Sequence, residues 1–229
     1  QTYSLKDGVP GVTDRASVQP GMWKFEDIDK NGVIDDNDRT VIGCASPDFF
    51  GGINNTFKYK GWDLSFFFSF SYGGEVLNAT KLTNTKAGKS NYSVLSTVDS
   101  SSRWMTINAE GQLVTDPQEL SALNAGKQVA SVFDLEQGDN YIHSWGVEDA
   151  SFLRLSNVNL GYTFPKKTIR KVGLQNLRLY LTGNNLFVWT PYTGFDPEVS
   201  TKGNSLTPGV DFGAYPRSRS FIFGLNLTL

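Results

Sequence analysis

The last ten residues, SFIFGLNLTL (Ser220–Leu229), alternate large apolar side chains with small, polar or lesser apolar ones up to the final position. Phe221, Phe223, Leu225, Leu227 and Leu229 fall on one face of an extended chain, and Ile222, Gly224, Asn226 and Thr228 on the other. Successive side chains of a strand point to opposite sides, so this spacing predicts a strand with one wholly apolar face. Such a face must be covered, either by a second layer of protein or by lipid. No other feature restricts the fold as much.

The pattern recurs upstream. In WDLSFFFSFSYGG, Leu64, Phe66, Phe68, Phe70 and Tyr72 oppose Asp63, Ser65, Phe67, Ser69 and Ser71; in NLRLYLTGNNLFVW, Leu177, Leu179 and Leu181 oppose Arg178, Tyr180 and Thr182. GGINNTFKY places Ile53, Phe57 and Tyr59 together. FLRLSNVNLGYTF begins on Leu153 and Leu155, then changes phase to Val158, Leu160, Tyr162 and Phe164. A one-residue phase change predicts a β-bulge near Ser156–Asn157. Five strands are therefore expected, over 50–59, 62–74, 150–164, 176–189 and 219–229. They exceed the usual soluble strand of about 5 to 6 residues and suit a tilted crossing of a bilayer. The polar faces, with their Arg, Asp, Ser, Asn and Thr, suit a watery lumen.

The connections alternate in length. Lys60–Gly61 is a tight turn, 75–149 is long, PKKTIRKVGLQ is short and 190–218 is long. That is the asymmetry of an outer-membrane barrel, with short periplasmic turns and long outside loops. It places the C-terminus on the periplasmic side and makes residues 1–48 an extracellular loop region, followed by strands over 49–229. Five strands close no barrel, because membrane examples begin at about eight. Open edges in hydrocarbon would leave backbone groups unpaired. The remaining wall is expected from elsewhere, and a chain opening on Gln1 without a signal peptide is expected to be processed or the tail of something longer.

Composition narrows the alternatives. Lys and Arg number 21 against 23 Asp and Glu, so no broad basic field favours nucleic acid. One histidine, His143, and one cysteine, Cys44, leave no Cys–His pair with a second base and no disulfide framework. No acid/base pair or nucleophile elbow stands out, and no enzyme is expected.

Two stretches carry candidate sites. DIDKNGVIDDND (Asp27–Asp38) has the spacing of an EF-hand-type calcium loop: Asp27, Asp29, Asn31, the Val33 carbonyl, Asp35 and Asp38 as oxygen ligands, with Gly32 at the turn. Its twelfth position is Asp instead of the longer Glu, and Pro20–Gly21 and an extended segment stand where flanking helices belong. A sensor is excluded. What remains is a structural Ca2+ bracing the loop, against an acidic turn that satisfies its own backbone. In WTPYTGFDPE (189–198), Trp189, Tyr192 and Phe195 are candidates for stacking on substrate, against a packed loop with Asp196 and Glu198 bonded internally. Arg154, Arg178, Tyr180 and Asp63 are polar-face candidates for substrate contact.

Three segments carry a family resemblance. FEDIDKNGVIDDNDRTVIGCASPDFFGGINNTFKYKGWDLSFFFSFSYGGEV, SFLRLSNVNLGYTFPKKTIRKVGLQNLRLYLTGNNLFVWTPYTGFDPEVS and AYPRSRSFIFGLNLTL resemble, in order and spacing, the C-terminal part of SusC/RagA TonB-dependent outer-membrane transporters. The chain ends in Leu229 where family members often end in Phe. The resemblance implies the last five antiparallel strands of a 22-stranded transmembrane β-barrel whose plug domain lies outside this sequence. It implies a Bacteroidetes-type outer membrane, a SusD-like surface lipoprotein as lid, and energy delivered through TonB. It also implies import of oligosaccharides or peptides. The competing expectation is a soluble, calcium-braced β-sandwich that binds carbohydrate.

Overall fold

A computed structural model describes residues 20–23, 25–32, 34–85, 93–132, 142–200 and 208–229. Eight strands occur among them: β1 (Phe49–Tyr59), β2 (Trp62–Tyr72), β3 (Glu75–Asn78), β4 (Val147–Asp149), β5 (Phe152–Thr163), β6 (Asn176–Trp189), β7 (Val210–Asp211) and β8 (Ser220–Thr228). The long ones form one antiparallel sheet in the order β1-β2-β5-β6-β8. These are the five expected strands, with ends shifted by no more than two residues.

Register makes the sheet two-faced. The row Phe70, Leu153 and Trp189 crosses β2, β5 and β6, and the row Leu64, Leu160, Leu181 and Phe223 continues to β8. On β1, Ile53 lies opposite Phe68 and Phe57 opposite Leu64. The alternate rows are polar: Thr56, Ser65, Asn159 and Thr182 align, as do Asn157 and Asn184. The expected bulge is present, since Phe67 pairs with Asn157 and Phe68 with Leu155, leaving Ser156 over. One extra residue there restores Leu155 and Val158 to a common face. Ser156 is not idle: its hydroxyl lies 2.7 Å from that of Ser69.

The apolar face is uncovered. Phe223 is 72% exposed, Phe221 69%, Phe57 57% and Ile53 53%. The buried apolar cluster consists of Val76, Ala150 and Tyr192, all away from that face. A soluble sandwich needs a second sheet here, because soluble monomers seldom expose apolar patches beyond a few hundred Å²; among the described residues none lies over it. The strands are long enough for lipid instead. Eleven residues, as in β2, extend about 36 Å at about 3.3 Å each. Tilted by about 40°, that length crosses about 28 Å, close to a hydrocarbon core of about 30 Å.

The long connections are more ordered than their sequences suggest. Residues within 73–151 and 190–219 supply a second small sheet, order β4-β3-β7, in which β3 and β7 run parallel. Glu75 N–H donates to Cys44 O at 2.9 Å, and Leu77 N–H to Gly209 O at 2.8 Å. Together with the large sheet these segments make one compact unit, residues 43–78 with 147–229. The other unit is 1–42 with 79–146. It contains α1 (Ala79–Thr83) and α2 (Pro117–Leu123), the second capped by Asp116, whose carboxylate accepts Gln118 and Glu119 N–H. The short connection after β5 holds α3 (Lys166–Ile169), which ends through a 3-10 turn on Gly173 with φ +81°.

The β1–β2 turn has both central residues left-handed, Lys60 at φ +46° and Gly61 at +92°. This is the type I′ geometry that matches strand twist. A Cβ on Gly61 would also lie 2.6 Å from the Thr163 carbonyl oxygen. Gly61→Ala is expected to cost about 1–2 kcal/mol for the left-handed backbone, plus the clash. Gly111→Ala, at φ +79° with nothing within 4 Å, should cost less. Denaturant midpoints of the intact protein compare the two; equal losses would refute the steric account.

Candidate functional site

The polar face of the large sheet carries two charged clusters, one near each end. Near the short turns, Asp63 on β2 and Tyr180 on β6 lie either side of Gly161 on β5. Gly161 has no side chain, so Arg178 and Asp63 meet above it, with Nη2 to Oδ2 at 2.6 Å and Nε to Oδ1 at 3.3 Å. A Cβ on Gly161 would approach Asp63 Oδ1 to 2.7 Å. Tyr180 is seated in the same way, its ring over Gly224 of β8 and the Arg178 guanidinium carbon 5.5 Å from its centre. The pair is half-buried, with side chains 27% and 26% exposed. It presents a locally neutral wall of guanidinium N–H, carboxylate and phenol. Such a wall can hydrogen-bond a polar ligand without attracting bare charge.

Near the long connections, Arg154 on β5 is buried, with its side chain 4% exposed. Its Nη2 donates to Asp196 Oδ1 at 2.6 Å, and its Nε lies 2.7 Å from Glu198 Oε2, an ion pair without hydrogen-bond alignment. Glu198 also meets Arg217 at 3.3 Å, and Asp196 accepts Glu198 N–H and Arg217 N–H. Four charges thus tie the loop after β6 both to the sheet and to the approach to β8. The pairing of Asp196 and Glu198 with basic neighbours, expected for a packed loop, is what the structure contains.

Tyr192, a stacking candidate, is 5% exposed, and its hydroxyl donates to Asp211 Oδ2 at 2.6 Å. Burial, the Asp211 hydrogen bond, and the charges of Asp211 and Glu148 together hold its phenol far above the usual tyrosine range. It therefore stays protonated and bonded at any ordinary pH. Trp189 lies on the apolar face opposite Leu153 and stacks on Phe187, the position of an interfacial girdle residue. Phe195 is 74% exposed in the same loop. Of the seven substrate candidates, Asp63, Arg178 and Tyr180 stand together on the polar face, Arg154 is locked in a buried network, and Trp189, Tyr192 and Phe195 lie elsewhere.

In the acidic loop, the carboxylates of Asp27, Asp29 and Asp38 converge, with oxygens within 4.8 Å of one another. They are held by backbone. Asp27 accepts Asn31 and Gly32 N–H, Asp29 accepts Asn31 N–H, and Asp38 accepts Ile28 N–H at 2.8 Å and Asp35 N–H at 2.8 Å. Asp35 Oδ1 accepts Asn37 N–H, capping the 3-10 turn Asp36–Asp38. Val33 lies outside the described residues. The Asp38 carboxyl titrates below its ordinary value, chiefly through the Asp35 N–H, which outweighs the opposing desolvation with help from the Ile28 and Asp29 N–H groups. A lowered folded value means that Asp38 favours the ordered loop above the usual carboxylate range. The contribution is lost as pH falls through the lowered value.

His143 sits among aromatic rings, with Trp23 at 4.9 Å, Phe25 at 5.7 Å and Trp145 at 6.3 Å between centroids. Lys81 Nζ lies 4.3 Å from the Trp145 ring centre. This cluster was not legible, because Trp23 and His143 are far apart in sequence and share no motif. Cys44 is exposed, and its thiol lies 4.0 Å from Ser46 O.

No family model matches the chain. It is 36% identical over 213 residues to TonB-dependent receptor P3 of Formosa agariphila, covering 91% of this chain and 19% of that protein. To TonB-dependent receptor SusC of Bacteroides thetaiotaomicron it is 29% identical over 205 residues, covering 89% of this chain and 17% of that protein. The chain therefore spans about a fifth of the curated relatives it matches. Its fold resembles the RagAB peptide importer in the open-open state, with a TM-score of 0.60 at 23% identity over 89% of this chain and 20% of that one. Another RagAB peptide transporter structure gives 0.58 at 22% identity, over 81% of this chain and 17% of that one.

Asp196→Ala is expected to destabilise the intact protein by about 3 kcal/mol, because it removes the one carboxylate hydrogen-bonded to a buried guanidinium and leaves only the unaligned Glu198 pair. Asp63→Ala, which breaks a half-exposed pair, should cost about 1 kcal/mol. Thermal unfolding of both variants checks the order; a larger loss for Asp63→Ala would contradict it.

Proposed function

The chain belongs to the TonB-dependent receptors of the SusC/RagA type, and from that premise we propose that it forms neighbouring strands of an outer-membrane barrel wall and part of its external vestibule. The observation that carries this reading is the division of one sheet into an uncovered apolar face and a polar face with seated charges. Lipid covers the first and the substrate path runs along the second. The unpaired edges of β1 and β8 bond to further strands of a barrel that has 22 strands in this type. The short turns and the C-terminus face the periplasm; residues 1–48 and the long connections face outward. No bond is made or broken by these residues.

The whole receptor imports oligosaccharides or peptides, with a SusD-like lipoprotein closing the vestibule and TonB acting through the plug. The paired Asp63–Arg178 wall with Tyr180 favours such a cargo, rich in neutral hydrogen-bonding groups, over a simple ion. The acidic loop holds a structural Ca2+ through Asp27, Asp29, Asn31, Asp35, Asp38 and the Val33 carbonyl. The convergence of three carboxylates supports this, and the ion braces the segment before β1 without taking part in transport.

Two experiments test these statements. Phe223→Arg places a charge on the lipid side and is expected to cost about 2–4 kcal/mol near the bilayer centre, depleting the receptor from the outer-membrane fraction. Ile222→Arg, on the polar face opposite Thr182, should be recovered there normally. Equal recovery would overturn the assignment of faces. For the loop, calorimetric titration of the intact receptor with Ca2+ should give one site that Asp27→Ala and Asp29→Ala abolish, while uptake persists. Absence of calcium-dependent heat would remove the ion from the account.

A further inference from the structure

At the long-connection end of the large sheet the side chains leave a shallow groove of about 410 Å³, walled by Phe49, Phe70, Tyr72 and Trp189 of the apolar face and closed at its end by Phe152, which pairs with Ser71 in a polar row. Phe49 pairs with Tyr72 and stacks on it at 5.1 Å, and Phe70 shares its cross-strand row with Trp189 through Leu153. Two hydroxyls at its margin are engaged: Ser151 Oγ accepts Gly73 N–H, and Thr190 Oγ1 donates to Ser151 O. What the groove offers is apolar surface.

A cation stands beside it. The Arg219 guanidinium carbon lies 5.7 Å from the centre of the Phe187 ring, and Phe187 stacks on Trp189 at the groove wall with centroids 6.0 Å apart. Arg154, Arg178 and Arg217 each hold a carboxylate. Among the described residues Arg219 has no carboxylate partner. A guanidinium resting on the Phe187 ring at the end of a lipid-facing strand keeps its N–H edge free for a headgroup. Its planar fork suits a phosphate.

We infer that this corner binds one phosphate-bearing lipid of the leaflet on the long-connection side, its acyl chain in the groove and its phosphate on Arg219. The inference rests on the reading that lipid covers this face, and it goes further by giving one place on the face a preferred lipid. Transported cargo is not the occupant, because four of the groove's five aromatic walls, Phe49, Phe70, Tyr72 and Trp189, belong to the face opposite the Arg178 wall. The match is electrostatic at one end and apolar at the other, as an anionic lipid requires.

The intact receptor, purified in detergent, is titrated with monophosphoryl lipid A and with the same lipid lacking its phosphate, and occupancy is read by native mass spectrometry. The wild type should prefer the phosphorylated lipid. Arg219→Gln should weaken that lipid by about fivefold, the effect of one arginine at a membrane surface, and leave the dephosphorylated form unchanged. Arg219→Lys, which keeps the charge, should retain most of the preference. Heat-dependent gel mobility verifies that each variant is a folded barrel. A receptor missing from the outer-membrane fraction would remove the underlying reading. A normally inserted receptor indifferent to the phosphate, or to Arg219→Gln, would overturn the lipid site alone.

Discussion

Everything in the large sheet depends on backbone pairing held in one register from β1 to β8. Period-two alternation turns that register into chemistry: a slip of one residue on any strand would carry its phenylalanines and leucines into the polar face. The bulge at Ser156 is where this dependence is most visible. β5 changes phase in sequence, and the extra residue lets Leu155 and Val158 face the same side while pairing continues. In a hydrocarbon setting no water satisfies a lost backbone bond, so register and membrane compatibility are one requirement.

The polar face is organised by what is missing from it. Gly161 and Gly224 lie between larger neighbours, and a side chain at either would occupy the space now filled by the Asp63–Arg178 pair or the Tyr180 ring. Small residues in one strand thus position large ones in the next. At the other end the same face is anchored differently, because Arg154 draws Asp196 and Glu198 down onto the sheet and fixes where the loop after β6 begins. The face is a wall with matched charges.

The strands, the tight turn, the bulge and the two faces were legible because each depends on local periodicity or on a single glycine. The internal bonding of Asp196 and Glu198 was also among the readings the sequence allowed. Arg217 as a partner was not, nor was Asp211 beneath Tyr192, since nothing near Tyr192 in sequence marks a residue nineteen positions later as its acceptor. The small sheet was missed for the same reason. β3, β4 and β7 have four, three and two residues, too few for a periodic signal, and they exist only because distant segments meet. For the acidic loop, spacing pointed to Asp27, Asp29, Asp35 and Asp38; three of these carboxylates converge, while Asp35 caps the 3-10 turn instead.

That small sheet has a bearing on the order of events as the chain folds. Leu77 pairs with Val210, more than half the chain away, and Glu75 pairs with Asp149 while bonding to Cys44. Closing such separated contacts is entropically slow, whereas the β1–β2 hairpin needs only a two-residue turn. The hairpin can form early, but the clasp of β3, β4 and β7 must wait until the last long connection has been made. The clasp thus ties together three segments that the chain itself keeps far apart.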